Sequence, residues 1–371
     1  MDRFAFIIHP LDPKADVARK YPLLARFLPV RLIHFLSRYW PPLVLSRVTG
    51  VRSPATGREV EGFLLACPLT ARQMLRLPTR VVYRKIIQTG RLAERLGARI
   101  LGLGAYTSVV GDGGLTVARA LEVPMTSGDS YTVAVSVRAL LEAGRAVGVE
   151  RERAVAAVVG ATGAIGSASA RWLARMVPRL ILVARREEAL RALAGRIAEE
   201  TNAAVTASTR VEAIADADLI LTATSAGRPL IFPEHLKPGA VVCDVARPRD
   251  VSPRVLRERK DVLLIDGGLV KTPEGVDFGF DYGLPLGLTF ACMAETIALT
   301  LEGRFEDYTV GKELSLARIA EIDEIARRHG FRPAGFFAFD RPVEEERLQA
   351  IRRRRRGGMA VSSPVQAEVA R

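Results

Sequence analysis

The amino-acid sequence predicts an α/β protein built around a doubly wound parallel sheet, and three observations lead to this prediction. Six short runs rich in Val, Ile, Leu and Ala lie between residues 154 and 268. Helical segments separate these runs, and a glycine-rich turn directly follows the first of them. Strands that are buried on both faces of a parallel sheet have this nearly continuous apolar character. The predicted strands are "AVAAVVG" (154–160), "LILVAR" (180–185), "AAVTAS" (203–208), "DLILTATS" (218–225), "AVVCDVAR" (240–247) and "VLLIDGG" (262–268).

The sequence on either side of this region predicts further domains. Residues 1–125 alternate strand-like and helix-like runs, which predicts an N-terminal α/β domain. Residues 126–285 hold the predicted parallel sheet, and residues 286–346 have the pattern of a helical segment. Residues 347–371 contain a run of five arginines and then a polar stretch, so they predict a disordered basic tail.

Composition narrows the class of protein. A chain of 371 residues with 49% hydrophobic residues is long enough for two or three domains that each have a core. The three cysteines lie far apart, which argues against a disulfide framework and a cysteine-based zinc site and indicates a reducing, cytoplasmic setting. The N-terminus lacks the features of a signal peptide, and no apolar run reaches the ~18 residues that cross a bilayer. We therefore expect a soluble or peripheral protein.

The net charge of +13 indicates an anionic partner. Aromatic residues make up only 6% of the chain and no nucleic-acid recognition module is visible, so nucleic acid is excluded as the expected partner. An anionic membrane face and an acidic protein remain. Residues 21–45 mix leucine, aromatic residues and arginine, a pattern typical of an amphipathic lid or a membrane-surface element. A buried helical hairpin is the alternative for this segment.

The motif "VVGATGAIGSASARWL" carries the clearest chemical signal in the chain. Gly160 permits a tight turn after the strand, Gly163 lets backbone amides approach a pyrophosphate, and Gly166 lets the following helix pack closely. A purely structural turn is the alternative, but the position between a strand and a helix favours a Rossmann-type dinucleotide site. The predicted cofactor contacts from this loop are Gly160, Thr162, Gly163, Ala164, Ile165 and Gly166.

The end of the second predicted strand indicates which dinucleotide binds. A carboxylate at this place would bind the ribose hydroxyls of NAD, whereas this chain has Arg185 and Arg186 there. Guanidinium groups suit the additional 2′-phosphate of NADPH, which is the cofactor we expect. The alternative is that the two arginines only solvate the strand end. Thr224 and Ser225 end the fourth strand, at the edge of the sheet where ligands of such folds bind, and are further candidates.

Cys292 is the candidate nucleophile. Thr289 is placed to cap a helix whose third residue, in the first turn, is Cys292, and Glu295 follows on the same face. Free backbone amides and the positive end of the helix dipole are expected to lower the pKa of a thiol at this place. Free cysteine is also a common core residue, so burial is the alternative. Cys67 and Cys243 lie in or at the ends of apolar strands and are weaker candidates.

Several segments, taken together in this order, resemble the long-chain acyl-[acyl-carrier-protein] reductases best known from cyanobacteria. The resemblance covers most of residues 60–335 and implies an NADPH-dependent enzyme that transfers a fatty acyl group to a cysteine and releases a fatty aldehyde. It implies that Cys292 is the nucleophile and that residues 1–125 bind the acyl substrate. The segments are "LGLGAYTSVV", "TSGDSYTVAV", "VVGATGAIGSASARWL", "LILVARREEAL", "FACMAETIALTLEG" and "RHGF".

The resemblance also leaves roles open. Ser130, Tyr131 and Thr132 are candidate oxyanion donors, although helix capping by Ser130 explains the same residues. Glu295 is a candidate for proton transfer or for a helix salt link, and Asp129 stands where related sequences are expected to have an amide.

Two further questions concern the substrate and the reaction class. Acyl carrier protein is acidic and suits a basic protein, but acyl-CoA is also anionic, and no aldehyde-consuming partner is identified. The alternatives to this reaction are an NADP-dependent amino-acid or shikimate-type dehydrogenase without covalent catalysis, and a non-catalytic NADP-binding sensor.

Overall fold

A computed structural model of the protein describes residues 1–10, 14 and 22–361. The strands are β1 Asp2–Ile8, β2 Leu43–Arg52, β3 Glu59–Ala66, β4 Ile100–Leu103, β5 Met125–Thr126, β6 Val155–Val159, β7 Arg179–Val183, β8 Ala204–Ser208, β9 Leu219–Thr222, β10 Val241–Asp244, β11 Leu263–Asp266, β12 Leu269–Lys271, β13 Leu288–Phe290, β14 Arg332–Pro333, β15 Phe337–Ala338 and β16 Arg341–Pro342. The α-helices are α1 Pro22–Phe27, α2 Val30–Ser37, α3 Ala71–Arg76, α4 Thr79–Arg95, α5 Tyr106–Val109, α6 Leu115–Ala118, α7 Asp129–Ala146, α8 Ala164–Leu173, α9 Glu187–Glu200, α10 Pro253–Glu258, α11 Ala291–Glu302, α12 Leu316–Arg328 and α13 Glu345–Val361.

The chain forms two compact units, each of which is discontinuous in sequence. One unit comprises Met1–Ser136, Gly163–Ala168 and Gly268–Gly335, and we call it the thiol unit because it contains Cys292. The other comprises Val137–Thr162, Ser169–Gly267 and Phe336–Arg371, and we call it the sheet unit. The assignment of residues 1–125 to the substrate, 126–285 to the cofactor and 286–346 to a separate helical segment stays a prediction.

The sheet unit confirms the predicted fold class. Six of its described strands form one parallel sheet in the order β11-β10-β9-β6-β7-β8. In chain order, β6, β7 and β8 are added from the centre of the sheet toward one edge, and β9, β10 and β11 from the centre toward the other edge. This is the doubly wound strand order of Rossmann folds. β6, β9, β10 and β11 are entirely buried, as their continuous apolar sequences predict, whereas β8 is half exposed at the edge.

The thiol unit is built on a second sheet, which is mixed. Five described strands pair in the order β2-β3-β1-β4-β5, and only the β2–β3 pair is antiparallel. α11 packs against β1 and β4, and ten of its twelve residues are buried. β13 leads directly into α11 and pairs with β12 in a small antiparallel sheet. The start of α11 is therefore fixed in place by β13, which is itself paired in the small sheet.

The structure differs from the predicted disorder over residues 347–371. α13 extends through Val361, and Leu348 and Ile351 on it are buried. Arg355 donates hydrogen bonds to the carbonyl oxygen of Gly239 at 3.0 Å and to the carboxylate of Asp218 at 2.7 Å. Two apolar side chains and one paired arginine therefore order the first part of this segment, despite its high charge. Residues 362–371 lie outside the described part of the chain.

The segment 21–45 does not form the buried hairpin that was one of its two predicted structures. α1 and α2 lie in it, and Phe27, Phe35 and Tyr39 have 76%, 55% and 72% of their surface exposed. Ile33 and Ser37 supply the buried face of α2. Among the described residues, no helix is both long and apolar enough to cross a membrane.

Candidate functional site

Cys292 is the second residue of α11, within the predicted first turn. The N-cap is Phe290 rather than Thr289, and no side chain caps this end. Thr289 instead pairs with Val270 in the small sheet, and its hydroxyl donates to Sδ of Met293 at 3.4 Å. The predicted cap was wrong because Thr289 belongs to β13. The amides of the first turn are therefore left without a capping side chain.

Of the three cysteines, all of which lie in the described chain, Cys292 alone is partly exposed. Burial raises the pKa of Cys67 to about 11, and burial also raises the pKa of Cys243. Neither of these buried thiols is placed for reaction with a substrate. The accessibility of Cys292 favours the nucleophile over the core cysteine.

The pKa of Cys292 is nevertheless shifted opposite to the expected direction. Burial raises this pKa to about 12, and the negative charges of Asp129 and Glu295 add to the effect. Hydrogen bonds from the amides of Met293 and Cys292 lower the pKa, as expected at a helix start, but they are outweighed. The expectation of a lowered pKa was wrong because sequence position shows the helix start but neither the burial of the thiol nor the nearby carboxylates. A base is therefore needed to remove the proton.

Asp129 is the carboxylate best placed to be that base. It opens α7, is only partly buried, and follows Gly128, which has a φ of +74°. A Cβ built on Gly128 would lie 2.7 Å from the carbonyl oxygen of Cys292 and nearer still to its Cα, so α7 begins directly against α11. Burial raises the pKa of Asp129 to about 7, and the Glu295 charge adds to this shift.

Glu295 is fully buried one turn after Cys292. Its carboxylate accepts hydrogen bonds from the hydroxyls of Thr126 and Thr309, the latter at 2.7 Å, and from the backbone N–H of Tyr131 at 2.8 Å. Burial raises its pKa, although these donors act in the opposite direction. Glu295 makes no ion pair with any described residue, so the structure offers no helix salt link. Its carboxylate caps the N-terminus of α7 and joins α7 to α11.

The "SGDSYT" hydroxyls are engaged within the protein. Oγ of Ser130 is hydrogen-bonded to Oγ1 of Thr309 at 2.8 Å, and Thr132 donates to the carbonyl oxygen of Gly128 at 2.8 Å. Tyr131 is buried. The role of Ser130 in the reaction stays a prediction.

Sequence reasoning missed Asp129 as a base and Thr309 as a partner of Glu295. The only signal for Asp129 was the unexpected carboxylate in place of an amide. Nothing in the local sequence links Thr309 to this site.

A cluster of aromatic residues also lies near Cys292. The ring of Tyr282 lies 5.2 Å from that of Phe278 and 6.3 Å from that of Phe290. The Tyr282 hydroxyl donates to the carbonyl oxygen of Leu288 at 2.9 Å. Burial raises the pKa of Tyr282, and a Cys292 thiolate would raise it further. Both carboxylates and an aromatic cluster therefore lie near the thiol.

The glycine-rich loop has the geometry that a dinucleotide site needs. Gly160 follows β6 with a φ of +84°, and its N–H donates to the carbonyl oxygen of Val183 at 2.8 Å. A Cβ on Gly160 would overlap the carbonyl oxygen of Ala223 and lie 3.0 Å from the side chain of Thr224, so only glycine fits. α8 begins at Ala164, and the first amides of a helix have no partner within it. The predicted residues Thr162, Gly163, Ala164, Ile165 and Gly166 form this loop and helix start.

The other predicted cofactor residues lie at the carboxyl ends of strands. Arg185 and Arg186 follow β7, are exposed, and make no ion pair with any described residue. Ser225 is exposed as well. The N–H and hydroxyl of Thr224 both donate to Asp250, so this side chain holds the loop. The loop and the two unpaired arginines fit a phosphate-bearing dinucleotide.

Comparisons with known proteins agree with this geometry. The family model for shikimate / quinate 5-dehydrogenase matches residues 143–266. Aminotransferase PigE from Serratia sp. is 34% identical over 308 residues, which cover 81% of this chain, but the match spans 35% of that longer protein. The long-chain acyl-[acyl-carrier-protein] reductase of Synechococcus elongatus is 27% identical over 309 residues, which cover 79% of this chain and 88% of the reductase.

Solved structures give only a weak likeness. Quinate dehydrogenase from Corynebacterium glutamicum in complex with NAD has 16% identity and a TM-score of 0.37, with 87% of this chain and 98% of that chain covered. A TM-score this low carries no argument. The family model and the loop together support an oxidoreductase of the Rossmann type that uses a nicotinamide cofactor.

Proposed function

We propose that the protein reduces the acyl group of a long-chain acyl thioester to a fatty aldehyde, with NADPH as reductant. The observation that carries the proposal is the partly exposed Cys292 in the first turn of α11, with the partly exposed Asp129 beside it. The 27% identity to the Synechococcus reductase, over most of both chains, supports the same reaction. The acyl donor is acyl carrier protein or CoA, and a protein of charge +13 suits either anion.

Acyl transfer to Cys292 is the first half of the reaction. The sulfur attacks the thioester carbonyl, a carbon–sulfur bond to Cys292 forms, and the bond to the carrier sulfur breaks. Asp129 accepts the thiol proton and passes it to the departing carrier thiolate, so atoms and charge balance. A pKa of about 7 suits Asp129 to both tasks near neutral pH.

The helix start stabilises the charge that develops during this step. The amides of Cys292 and Met293 point to the sulfur and are placed to donate to the anion that forms at the attacked carbonyl. The dipole of α11 acts in the same direction. Glu295 is a positioning residue, because its bonds to Thr309 and Tyr131 hold the two helix starts together.

Release of the aldehyde is the second half. Bound NADPH would supply the hydride that reduces the acyl thioester. The sulfur of Cys292 leaves the reduced carbon as a thiolate. A proton taken up from solvent, delivered through Asp129, then restores the free thiol and balances the step. The aromatic cluster of Phe278, Tyr282 and Phe290 limits water at the thioester, which would otherwise hydrolyse to a fatty acid.

The preference for NADPH is assigned to the two arginines after β7. Replacing Arg185 and Arg186 by alanine removes the charged donors for the 2′-phosphate. We expect the Kd for NADPH to rise roughly 10- to 100-fold and the Kd for NADH to stay nearly unchanged, as measured by titration of nicotinamide fluorescence. Arg191→Ala is the matched control, because Arg191 is exposed on α9 and pairs with Glu187. If the Kd values for NADPH and NADH rose equally, the two arginines would not be recognising the 2′-phosphate.

Intact-mass spectrometry tests the covalent mechanism. Protein mixed with palmitoyl-acyl carrier protein or palmitoyl-CoA, without NADPH, should gain the mass of one palmitoyl group. Peptide mapping should place that group on Cys292 rather than on Cys67 or Cys243. The proposal is abandoned if neither donor leaves an adduct while the same protein binds NADPH.

A shikimate-type dehydrogenase is the second candidate, and the family-model match favours it. That match covers residues 143–266, within which neither Cys292 nor Asp129 lies. It therefore supports cofactor binding and leaves the substrate open. This candidate predicts nicotinamide reduction by a hydroxy acid such as quinate, with full activity after Cys292→Ala. NADPH binding without turnover of any thioester or hydroxy acid would instead indicate a sensor.

A further inference from the structure

A surface of the thiol unit, formed by residues that the proposed reaction does not use, combines exposed apolar side chains with arginines. α1, α2 and the residues after them carry exposed Leu, Phe, Val and Tyr side chains, and the sequence from residue 17 to residue 58 contains no aspartate or glutamate. We call this surface the apolar-basic patch. Its members are Leu23, Arg26, Phe27, Val30, Arg31, Leu32, Phe35, Arg38 and Tyr39.

Hydrogen bonds attach α2, which carries part of the patch, to neighbouring helices. Ser37 donates to Oε1 of Gln73 at 2.9 Å, and Nδ1 of His34 lies 3.1 Å from the hydroxyl of Thr70. Lys85 donates to the carbonyl oxygen of Trp40 at 2.9 Å. These bonds hold α2 on α3 and α4 and turn its remaining faces outward. The exposed ring of Phe35 is therefore presented by a braced helix.

We infer that this patch docks on the surface of an anionic lipid bilayer. The aliphatic and aromatic side chains suit the boundary between headgroups and hydrocarbon, and the arginines suit lipid phosphates. A tyrosine and a tryptophan at the end of α2 are the residue types enriched at that depth. The inference rests on the patch alone and stands whether or not the proposed reaction does.

Charge and polarity favour a bilayer over the other occupants. A symmetric contact with a second copy would bring arginines onto arginines with no carboxylate in the segment to pair them. An acidic carrier protein offers carboxylates, but these would lose their hydration against six apolar side chains. Neighbouring α3 adds the exposed Arg72 and Arg76 and carries no acid.

Tryptophan fluorescence provides the test, because the chain has two tryptophans and Trp40 borders the patch. In a Trp172→Phe protein, vesicles of equal phosphatidylglycerol and phosphatidylcholine should shift the Trp40 emission to the blue. Brominated phosphatidylcholine in these vesicles should quench it, and pure phosphatidylcholine should bind at least roughly tenfold more weakly. The dependence of the emission shift on lipid concentration gives a partition coefficient. Vesicle sedimentation of the protein with both tryptophans measures this coefficient independently.

Variants distinguish the occupants. Phe27→Ser with Phe35→Ser should lower the partition coefficient roughly tenfold or more, and Arg26→Gln, Arg31→Gln and Arg38→Gln together should remove the preference for phosphatidylglycerol. Leu286→Ser is the matched control, since Leu286 is fully exposed elsewhere, and should bind as before. Unchanged binding by the double serine variant overturns the inference. So does a dimer that the same variant dissociates, or a Trp40 shift produced by acyl carrier protein and not by vesicles.

Discussion

Cys292→Ala is expected to abolish aldehyde formation while NADPH binding and the fold persist. The other two thiols are buried, whereas Cys292 is partly exposed, so neither of them is expected to replace it as the nucleophile. Residual reduction should fall below roughly a thousandth of the unmodified rate, as when other covalent nucleophiles are removed. NADPH oxidation with palmitoyl-acyl carrier protein measures the loss. The mass increase without NADPH should vanish in parallel.

The control for this substitution keeps only the reactive cysteine. Cys67→Ala with Cys243→Ala leaves Cys292 in place and should retain both the adduct and turnover, at some cost in thermal stability because two core side chains shrink. Thermal unfolding of all variants separates lost chemistry from lost structure. Normal turnover by a folded Cys292→Ala protein would sink the covalent mechanism but leave the fold and cofactor assignments intact.

The parallel sheet could be predicted because its signal is local and repeated. Four of the six strands of the parallel sheet, β6, β9, β10 and β11, are entirely buried, and this leaves a short apolar run in the sequence. The observed strands are mostly shorter than the runs because the runs extend into the loops at the carboxyl edge. Gly160 and Arg185, for example, lie beyond the ends of β6 and β7 and belong to the proposed cofactor site.

The electrostatics around Cys292 could not be predicted in the same way. The position near a helix start is a local property, and it was found to within one residue of the cap. The upward pKa shift comes first from the burial of the thiol and then from the charge of Asp129, which follows Gly128 where α7 begins against α11. Such a contact joins parts of the chain that are distant in sequence. Local pattern therefore indicated the candidate nucleophile and missed the candidate base.

The burial of α13 and the exposure of α2 could not be predicted from composition either. Net charge and arginine content predict a disordered tail, but they do not record which face of a helix is apolar. Leu348 and Ile351 are one turn apart, and their burial together with the Arg355 pairs outweighs the charge of the run. In α2 the opposite holds, because only Ile33 and Ser37 are buried and the apolar remainder faces outward.

The second large effect concerns Asp129. Its pKa of about 7 lies far above the ordinary value, and the carboxylate must be ionised to accept the Cys292 proton. The single-turnover rate of acyl transfer should therefore rise with pH, with a midpoint near pH 7, and Asp129→Asn should flatten this profile. At pH 8 the variant should transfer acyl groups roughly 100- to 10,000-fold more slowly. Rapid quench followed by intact-mass spectrometry measures both.

Glu295→Gln supplies a readout that a purely structural role would not change. The Glu295 charge raises the pKa of Asp129, so its removal should move the midpoint of the profile to lower pH without flattening it. The amide can still accept the Tyr131 N–H bond that joins the two helices. If the midpoint does not move, the charge of Glu295 does not affect the titration of Asp129, and Glu295 only caps α7.

Alkylation of Cys292 distinguishes a base from a mere neighbouring charge. The Asp129 carboxylate raises the thiol pKa, so Asp129→Asn should lower that pKa and increase the rate of reaction with iodoacetamide at alkaline pH. The same substitution should slow acyl transfer, because the proton acceptor is gone. Opposite signs in the two assays are the signature of a base. If Asp129→Asn transfers acyl groups as fast as the unmodified protein, the amide expected in related sequences suffices, and Cys292 loses its proton by another route.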